Sequence, residues 1–191
     1  MPKNLYIIGG CNGAGKTTAS YTLLPEILDC KEFVNADEIA RGLSPFNPNS
    51  MAIEAGKLML KRINELLGRD ESFAIETTLA TRSYVNLVHQ AQKKDYKVTL
   101  VFFWLITPEL ALQRIAERVK MGGHDIPSPT ARRRYISGIS NFFKLYASEV
   151  DCWMIYDNSE TPRVAIAQGG RFATTEILNE KLYTKIKEYV K

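Results

Sequence analysis

The sequence predicts an α/β fold in which a doubly wound, five-stranded parallel sheet carries helices on both faces. Short apolar runs alternate with longer segments of helical period, as is typical of parallel strands joined by crossover helices. A glycine-rich segment also follows the first run directly. The 191 residues are enough for about one domain at roughly 150 residues each. We therefore expect residues 1–191 to form a single domain with a lid at about residues 120–132 and a small C-terminal hairpin.

Five apolar runs are the candidate strands. They span Leu5 to Gly9, Glu32 to Ala36, Ser72 to Thr77, Lys97 to Ile106 and Cys152 to Tyr156. Apolar runs this short, separated by longer segments of helical period, predict strands that are buried in a parallel sheet.

Apolar residues recur at intervals of three and four between these strands, which indicates helices with one buried face. The spacing predicts helices at about residues 51–67, 84–91, 112–119 and 136–146, and a last helix from about Asn179. Thr107 and Pro108 are a typical cap and first-turn pair for the third of them. Residues 164–175 are expected to form the hairpin, with Gly169 and Gly170 supplying the positive backbone angles of its turn.

The composition excludes several classes of protein. Apolar residues make up 45% and charged residues 24% of the chain, which is typical of a globular domain and not of disorder, collagen or a coiled coil. The longest strongly apolar run, residues 98–106, is shorter than the roughly 20 residues of a membrane-spanning helix. No signal peptide is recognisable, so we expect a cytoplasmic protein without membrane association. Cys11, Cys30 and Cys152 form neither a disulfide framework nor a metal-ligand pattern, as in a reducing compartment.

The segment after the first strand, Gly10 to Thr17, matches the phosphate-binding pattern G-x-x-x-x-G-K-[ST]. Glycines let backbone N–H groups surround phosphate oxygens, and the following helix directs its positive end towards them. Lys16 is expected to reach the β- and γ-phosphates and Thr17 to bind Mg²⁺. The candidate nucleotide-binding residues are Gly10, Asn12, Gly13, Ala14, Gly15, Lys16, Thr17 and Thr18. The predicted fold is therefore that of a P-loop NTPase, and a dinucleotide fingerprint is disfavoured because Thr18 replaces its third glycine.

Two acidic residues lie at the carboxyl ends of predicted strands, where an open parallel sheet forms its ligand crevice. Asp37 follows the second strand and Glu76 lies near the end of the third. Each has a structural alternative, because Asp37 could cap a short helix and Glu76 could be a capping or core-edge carboxylate.

The fourth strand ends without an acid, and the sequence contains no Asn-Lys-x-Asp motif for guanine recognition. A GTPase switch is therefore disfavoured.

Residues 114–134 concentrate the positive charge. Six basic residues (Arg114, Arg118, Lys120, Arg132, Arg133 and Arg134) stand against Glu117 and Asp125, so this segment carries +4, the net charge of the whole chain. Arg114 and Arg118 are one helical turn apart and share a face. This layout is typical of a phosphate lid, and a solvated helix face with Glu117 paired to Arg114 is the alternative. Together with the phosphate loop and a candidate base, it favours phosphoryl transfer.

The same residues resemble the zeta toxin family, in particular its short bacterial branch. The resemblance covers positions 5 to about 160 and rests on motifs in a fixed order. These are Gly10 to Thr18, Asn35-Ala36-Asp37 with Pro45 to Pro48 following, Ile75 to Leu79, Arg114 to Val119, Gly122-Gly123-His124-Asp125-Ile126-Pro127, Arg132 to Tyr135, and Asp157-Asn158-Ser159.

The resemblance implies an ATP- and Mg²⁺-dependent kinase acting on a UDP-N-acetyl amino sugar and restrained by a protein antitoxin. Lys16 and Thr17 would hold ATP and Mg²⁺, Asp37 would be the general base, and Glu76 and Thr77 would help hold the acceptor. Arg118 and either Arg132 or Arg133 would meet the γ-phosphate, with Arg114 also in the nucleotide site. Asp157 and Asn158 would lie near the nucleotide base, although an Asx turn is an equally good interpretation. His124 would be a structural landmark of the lid.

Other functions remain open at this level. One is a nucleotide-binding regulatory or toxin–antitoxin module that turns ATP over slowly or not at all. Another is a polynucleotide kinase, but a net charge of only +4 makes a nucleic-acid partner unexpected. The acceptor is therefore predicted to be a small molecule, with a nucleotide sugar favoured.

Overall fold

The computed structural model describes residues 3–123 and 125–190, and within them the chain forms one sheet of seven strands flanked by helices. The strands are β1 (Lys3–Gly10), β2 (Glu32–Val34), β3 (Phe73–Thr77), β4 (Tyr96–Trp104), β5 (Cys152–Asp157), β6 (Val164–Gly170) and β7 (Ala173–Ile177). Their spatial order is β2-β3-β1-β4-β5-β6-β7. The first five pair in parallel, which confirms the predicted α/β sheet, and β6 and β7 extend it by antiparallel pairing.

Helices connect the parallel strands. They are α1 (Lys16–Thr22), α2 (Ala36–Leu43), α3 (Ala52–Gly68), α4 (Tyr84–Gln92), α5 (Pro108–Lys120), α6 (Ser128–Asn141) and α7 (Glu180–Lys187). Side chains cap three of them, because Asn35, Thr107 and Asn179 accept hydrogen bonds from backbone N–H groups of the first turns of α2, α5 and α7. The predicted role of Thr107 as a cap is therefore confirmed.

Strand alternation places the core on two faces of the sheet. On one face, Phe102 of β4 and Trp153 of β5 both contact the ring of Phe142, which follows α6. On the other face, Val101 and Phe103 lie beside α1. A second, smaller apolar cluster of Ile115, Ile126 and Ala131 joins α5 to the start of α6. The predicted helices on both faces are thus present, and the lid region has apolar packing of its own.

Two strands end earlier along the chain than the sequence predicted. β2 ends at Val34 because Asn35 turns its side chain to cap α2. β4 ends at Trp104 because the Ile106 N–H leaves the ladder and donates to the Ser159 hydroxyl.

The predicted turn of the hairpin was placed wrongly. Gly169 and Gly170 lie within β6, and the chain turns after them. A Cβ on Gly169 would lie 2.6 Å from the Trp153 ring, and one on Gly170 would lie 2.1 Å from the Asp151 carbonyl oxygen. Both positions therefore need glycine for close packing against β5 and the residue that precedes it, a contact that the local sequence does not reveal.

Within residues 3–123 and 125–190, no helix has the length and apolar character needed to cross a membrane.

Gly138 of α6 gives a test of this packing. A Cβ at this position would lie 2.4 Å from the Thr78 carbonyl oxygen, so Gly138→Ala should lower the free energy of unfolding by about 1–3 kcal/mol. Gly56 of α3 has no atom within 4 Å of the same added carbon, so Gly56→Ala should raise it by about 0.5–1 kcal/mol. Urea unfolding of the two variants measures both changes, and a Gly138→Ala protein as stable as Gly56→Ala would contradict the close approach.

Candidate active site

The loop between β1 and α1 has the backbone geometry of an anion-binding loop. Gly10, Gly13 and Gly15 adopt positive φ values of 138°, 80° and 76°, and Gly15 is the residue that precedes α1. A Cβ on Gly10 would lie 2.2 Å from the Phe103 carbonyl oxygen of β4, so this position also needs glycine for close packing. The fixed loop directs the start of α1, whose N–H groups carry partial positive charge, towards the cavity described below.

Lys16 begins α1, and its side chain is 6% exposed. Its ammonium group donates to the Cys11 carbonyl oxygen at 2.9 Å and lies 3.6 Å from Glu76 Oε1. Both side chains of the Lys16–Glu76 pair are more than nine-tenths buried. A buried charge requires such compensation, so the phosphate-loop lysine depends on Glu76 and on the loop backbone.

Glu76 is the centre of a polar network at the end of β3. The Thr17 hydroxyl donates to Glu76 Oε2 at 2.8 Å, and Asn35 Nδ2 donates to the same oxygen at 2.9 Å. Glu76, which the resemblance assigns to the acceptor, therefore lies against Lys16 and Thr17 of the phosphate loop. Asn35 is a site residue that the sequence analysis did not identify.

The oxygen atoms of Thr17 and Glu76 fit a Mg²⁺ site. Mg²⁺ prefers hard oxygen ligands and is typically held by one or two protein groups together with waters and substrate phosphates. The described residues contain no group of three or more His, Cys, Asp or Glu side chains that could hold a metal ion. A metal ion here would therefore depend on nucleotide phosphates for part of its coordination.

Asp37 lies in the first turn of α2 at the edge of the cavity. The structural alternative for this residue, a helix cap, is filled by Asn35, whose Oδ1 accepts from the N–H groups of Asp37 and Glu38. The Asp37 side chain is exposed and lines both cavities beside the phosphate loop. Its carboxylate is thus available to a ligand.

Two adjoining cavities make up the site. The first, of about 320 Å³, is lined by Asn12, Gly13, Gly15, Lys16, Thr17, Thr18, Asp37, Glu38, Arg41, Glu76, Arg114 and Arg118. The second, of about 220 Å³, is lined by Asn12, Lys16, Asn35, Ala36, Asp37, Met59, Glu76, Thr77, Thr78, Thr81, Tyr84 and Arg134. Asn12, Lys16, Asp37 and Glu76 line both, so the phosphate loop and Asp37 stand where the two spaces meet.

Arg114 and Arg118 both line the first cavity, together with the phosphate loop. Arg114 also has a structural contact, because its guanidinium donates to the carbonyl oxygens of Asn158 and Ser159 at 2.8 and 2.7 Å. These bonds join α5 to the loop after β5. The alternative of a pair with Glu117 is not found in the structure, where Glu117 accepts from Gln113 instead.

The structure does not bring Arg132 or Arg133 to either cavity. Arg132 pairs with Glu109 at the surface, and Arg133 is exposed. The third arginine of the run, Arg134, lines the second cavity and lies 3.3 Å from Asn12 Oδ1 of the phosphate loop. Helical periodicity could have selected Arg134, because it lies three residues after buried Ala131 and four before buried Gly138.

Asp157 and Asn158 hold the phosphate loop and its surroundings in place. Asp157 Oδ1 accepts from the N–H and the hydroxyl of Ser159, which is the Asx turn considered as an alternative. Asn158 Nδ2 donates to the Ala14 carbonyl oxygen at 2.8 Å. Neither residue lines the two cavities, so their observed contacts are structural.

The second cavity includes residues that the sequence analysis missed, among them Thr81 and Tyr84. Thr77, predicted to contact the acceptor, lines this cavity, and its hydroxyl accepts from the Leu79 N–H at 3.1 Å. Thr81 lies on the loop between β3 and α4, and Tyr84 is the first residue of α4, where no motif identifies them. His124, the predicted landmark of the lid, lies outside the described residues.

Burial raises the pKa of the Cys11 thiol to about 11. At neutral pH the side chain is therefore protonated and a poor nucleophile. Cys11 is thus a small, neutral residue within the phosphate loop, and its carbonyl group is what contacts Lys16.

The parallel sheet, the glycine loop and the buried lysine define a P-loop protein with a kinase-like fold. The chain belongs to the AAA_33 family, described as an AAA domain, whose model matches residues 5–136. The match ends within α6, so it includes the phosphate loop, Asp37, Glu76 and the five arginines of residues 114–134.

Comparison with known proteins supports the same fold. The chain is 31% identical over 127 residues to an uncharacterized protein of Haemophilus influenzae, covering 66% of this chain and 88% of the relative. An AvrRxo1-ORF1:-ORF2 complex solved with ATP superimposes with a TM-score of 0.75 at 18% identity, over 96% of this chain and 63% of the other. The PezAT toxin–antitoxin system of Streptococcus pneumoniae gives a TM-score of 0.68 at 18% identity, over 98% and 78%.

The Lys16–Glu76 pair can be tested by a double-mutant cycle. Glu76→Gln leaves a buried ammonium without its carboxylate and should lower the free energy of unfolding by about 3–5 kcal/mol. Adding Lys16→Met should recover part of this loss, giving a coupling energy of about 0.5–3 kcal/mol. Urea unfolding of the four proteins measures the cycle.

Glu38→Gln is the matched control for this cycle. Glu38 lines the same cavity, but it is 39% exposed and pairs with Arg41 at the surface, so the change should be within about 0.5 kcal/mol. A Glu76→Gln protein as stable as Glu38→Gln would show that the buried pair does not stabilise the fold.

Proposed function

We propose that the protein is an ATP-dependent kinase that transfers the γ-phosphate to a hydroxyl group of a small molecule. The observation that carries this proposal is the position of Asp37 where the phosphate-loop cavity meets the second cavity. A donor phosphate held by the loop and an acceptor held in the second cavity would then meet beside a carboxylate. Positioning of this kind is the main requirement of phosphoryl transfer.

Each residue has a defined task in this mechanism. The loop N–H groups and Lys16 bind the donor phosphates, and Asp37 accepts the proton of the acceptor hydroxyl as it attacks. Arg118 and Arg134 offset the charge that develops on the transferring group from two sides of the cavity. Thr17 and Glu76, whose oxygen atoms are 2.8 Å apart, would hold Mg²⁺, and the ion would supply positive charge that offsets the phosphate oxygens.

The acceptor is proposed to be a nucleotide sugar of the UDP-N-acetyl amino sugar class, as in zeta toxins. The second cavity supports a hydroxyl-rich acceptor, because Thr77, Thr81, Tyr84 and Asn35 offer hydrogen-bonding groups along its lining. A protein antitoxin is a proposed partner, since the AvrRxo1 and PezAT structures are themselves complexes of two proteins.

Replacement of the proposed base tests the assignment. Asp37→Asn should lower the rate of transfer by about 10²- to 10⁴-fold and leave the dissociation constant of ATP nearly unchanged, because the loop N–H groups and Lys16 bind the donor phosphates in this mechanism. Mass spectrometry of ATP, Mg²⁺ and a panel of nucleotide sugars, nucleosides and short RNAs detects the phosphorylated product, and calorimetry measures ATP binding.

Glu38→Gln, the neighbouring change on the same helix, should retain transfer within about threefold. Equal product formation by Asp37→Asn and the wild type would remove Asp37 from the mechanism. ADP and free phosphate without any phosphorylated acceptor, at equal rates in both proteins, would instead favour a nucleotide-dependent regulatory module.

The arginine run offers a second test, in which the three neighbours are compared. Arg134→Gln should lower transfer at least about 10-fold, because this arginine lines the cavity and would stabilise the transition-state charge. Arg132→Gln and Arg133→Gln should each retain transfer within about threefold, since both side chains are exposed. The same product assay ranks the three, and a larger loss in Arg132→Gln than in Arg134→Gln would contradict the assignment.

A further inference from the structure

A groove beside β4 and β5 lies apart from the candidate active site. Its floor consists of Val101, Phe103, Met154 and Tyr156, and its wall is the end of α1 with the following turn, at Leu23 and Ile27. Its volume is about 360 Å³, within the range of roughly 300–1,000 Å³ that is typical of small-molecule sites. It shares no lining residue with the two cavities of the active site.

This part of the sheet is unusual because parallel strands are normally covered by helices on both faces. On the opposite face, Phe102 and Trp104 of β4 and Trp153 and Ile155 of β5 are at most 4% exposed. On the groove side, Met154 and Tyr156 are only half-buried, since α1 ends at Thr22 and leaves them partly open. Apolar surface of this kind gains free energy when it is covered.

One cation stands at this apolar surface. Arg163 is the charged residue of the groove lining, and its guanidinium lies 5.5 Å from the centroid of the Phe103 ring. Within residues 3–123 and 125–190, no Asp or Glu carboxylate forms an ion pair with it. Thr99 also lines the groove. The groove thus combines an apolar body with an unpaired positive group at one point.

From this combination we propose that the groove binds a small apolar molecule that carries one anionic group of the carboxylate type. The apolar body lies on the β4–β5 floor, and the anionic group pairs with Arg163. A guanidinium binds a carboxylate through two parallel hydrogen bonds. The site should therefore prefer an anionic head group to a neutral or cationic one on the same apolar molecule. The ligand also contacts α1, the helix that begins at Lys16 of the phosphate loop.

Decanoate is a suitable probe, and decyltrimethylammonium is its cationic counterpart of equal chain length. Methyl NMR of ¹³C-labelled methionine reports the place of binding, because Met154 lines the groove whereas Met59 lines the second cavity of the active site. Decanoate should shift the Met154 signal saturably and leave Met59 unchanged. Decyltrimethylammonium should bind at least about 10-fold more weakly.

Substitutions at the rim test the charge. Arg163→Gln should weaken decanoate binding at least about 10-fold. Arg171→Gln is the matched control, since Arg171 also lies over an aromatic ring, at 4.5 Å from the Phe172 centroid, but outside the groove. This change should leave decanoate binding unchanged.

Ile27 is 69% exposed, so the fold tolerates either charge there. Ile27→Glu should weaken decanoate binding and Ile27→Lys should not.

Several results would overturn the proposal. They are equal decanoate affinity of Arg163→Gln and the wild type, equal affinity for the two head groups, a shift of Met59 in place of Met154, and the absence of any Met154 shift at millimolar decanoate. Each result is independent of kinase activity, so the groove and the proposed reaction can fail separately.

Discussion

The buried contact between Glu76 and the phosphate loop is the constraint on which the site depends. β1 and β3 pair in parallel with Ile8 opposite Glu76, which places the carboxylate level with the end of β1, where the loop begins. Lys16 and Thr17 both turn to it, so one acid fixes the two loop side chains that matter for phosphate and metal. Because the charges of Lys16 and Glu76 are both buried, neither of these two residues can be replaced independently of the other.

Two further attachments keep the loop at the edge of the sheet. Asn158 binds the Ala14 carbonyl group, and Arg114 binds the carbonyl groups of residues 158 and 159, so β5, α5 and the loop form one hydrogen-bonded unit. On the other side, Asn141 and Tyr146 donate to the carbonyl groups of Leu79 and Thr81. The wall of the second cavity is thereby fixed to the end of α6. A site built in this way is largely formed before any ligand binds.

The sequence predicted what local patterns determine. The glycine loop, the five parallel strands and the cap at Thr107 follow from spacing and residue type, and Asp37 lies at the predicted strand end. The missed features depend on contacts between distant segments. The position of Glu76 depends on strand register, and the choice of Arg134 over Arg132 and Arg133 depends on the rotation of α6 about its axis. Gly169 and Gly170 are similarly required by the close approach of Trp153 in β5 and of Asp151 just before it, which no local pattern records.

Arg118 and Arg134, which line the first and the second cavity, belong to different packing units, and this separates their tasks. Arg134 precedes Tyr135, which is 1% exposed and whose hydroxyl joins the Trp104 indole and the Leu105 carbonyl group of the main core. Arg118 lies on α5, whose Ile115 packs in the small cluster with Ile126 and Ala131. Arg134 is therefore positioned by the sheet, together with the second cavity, whereas the position of Arg118 depends on how that small cluster is packed. A change that displaces Ile115 in the cluster should therefore alter the first cavity through Arg118, and it should leave the contacts of Tyr135 with Trp104 and Leu105 in place.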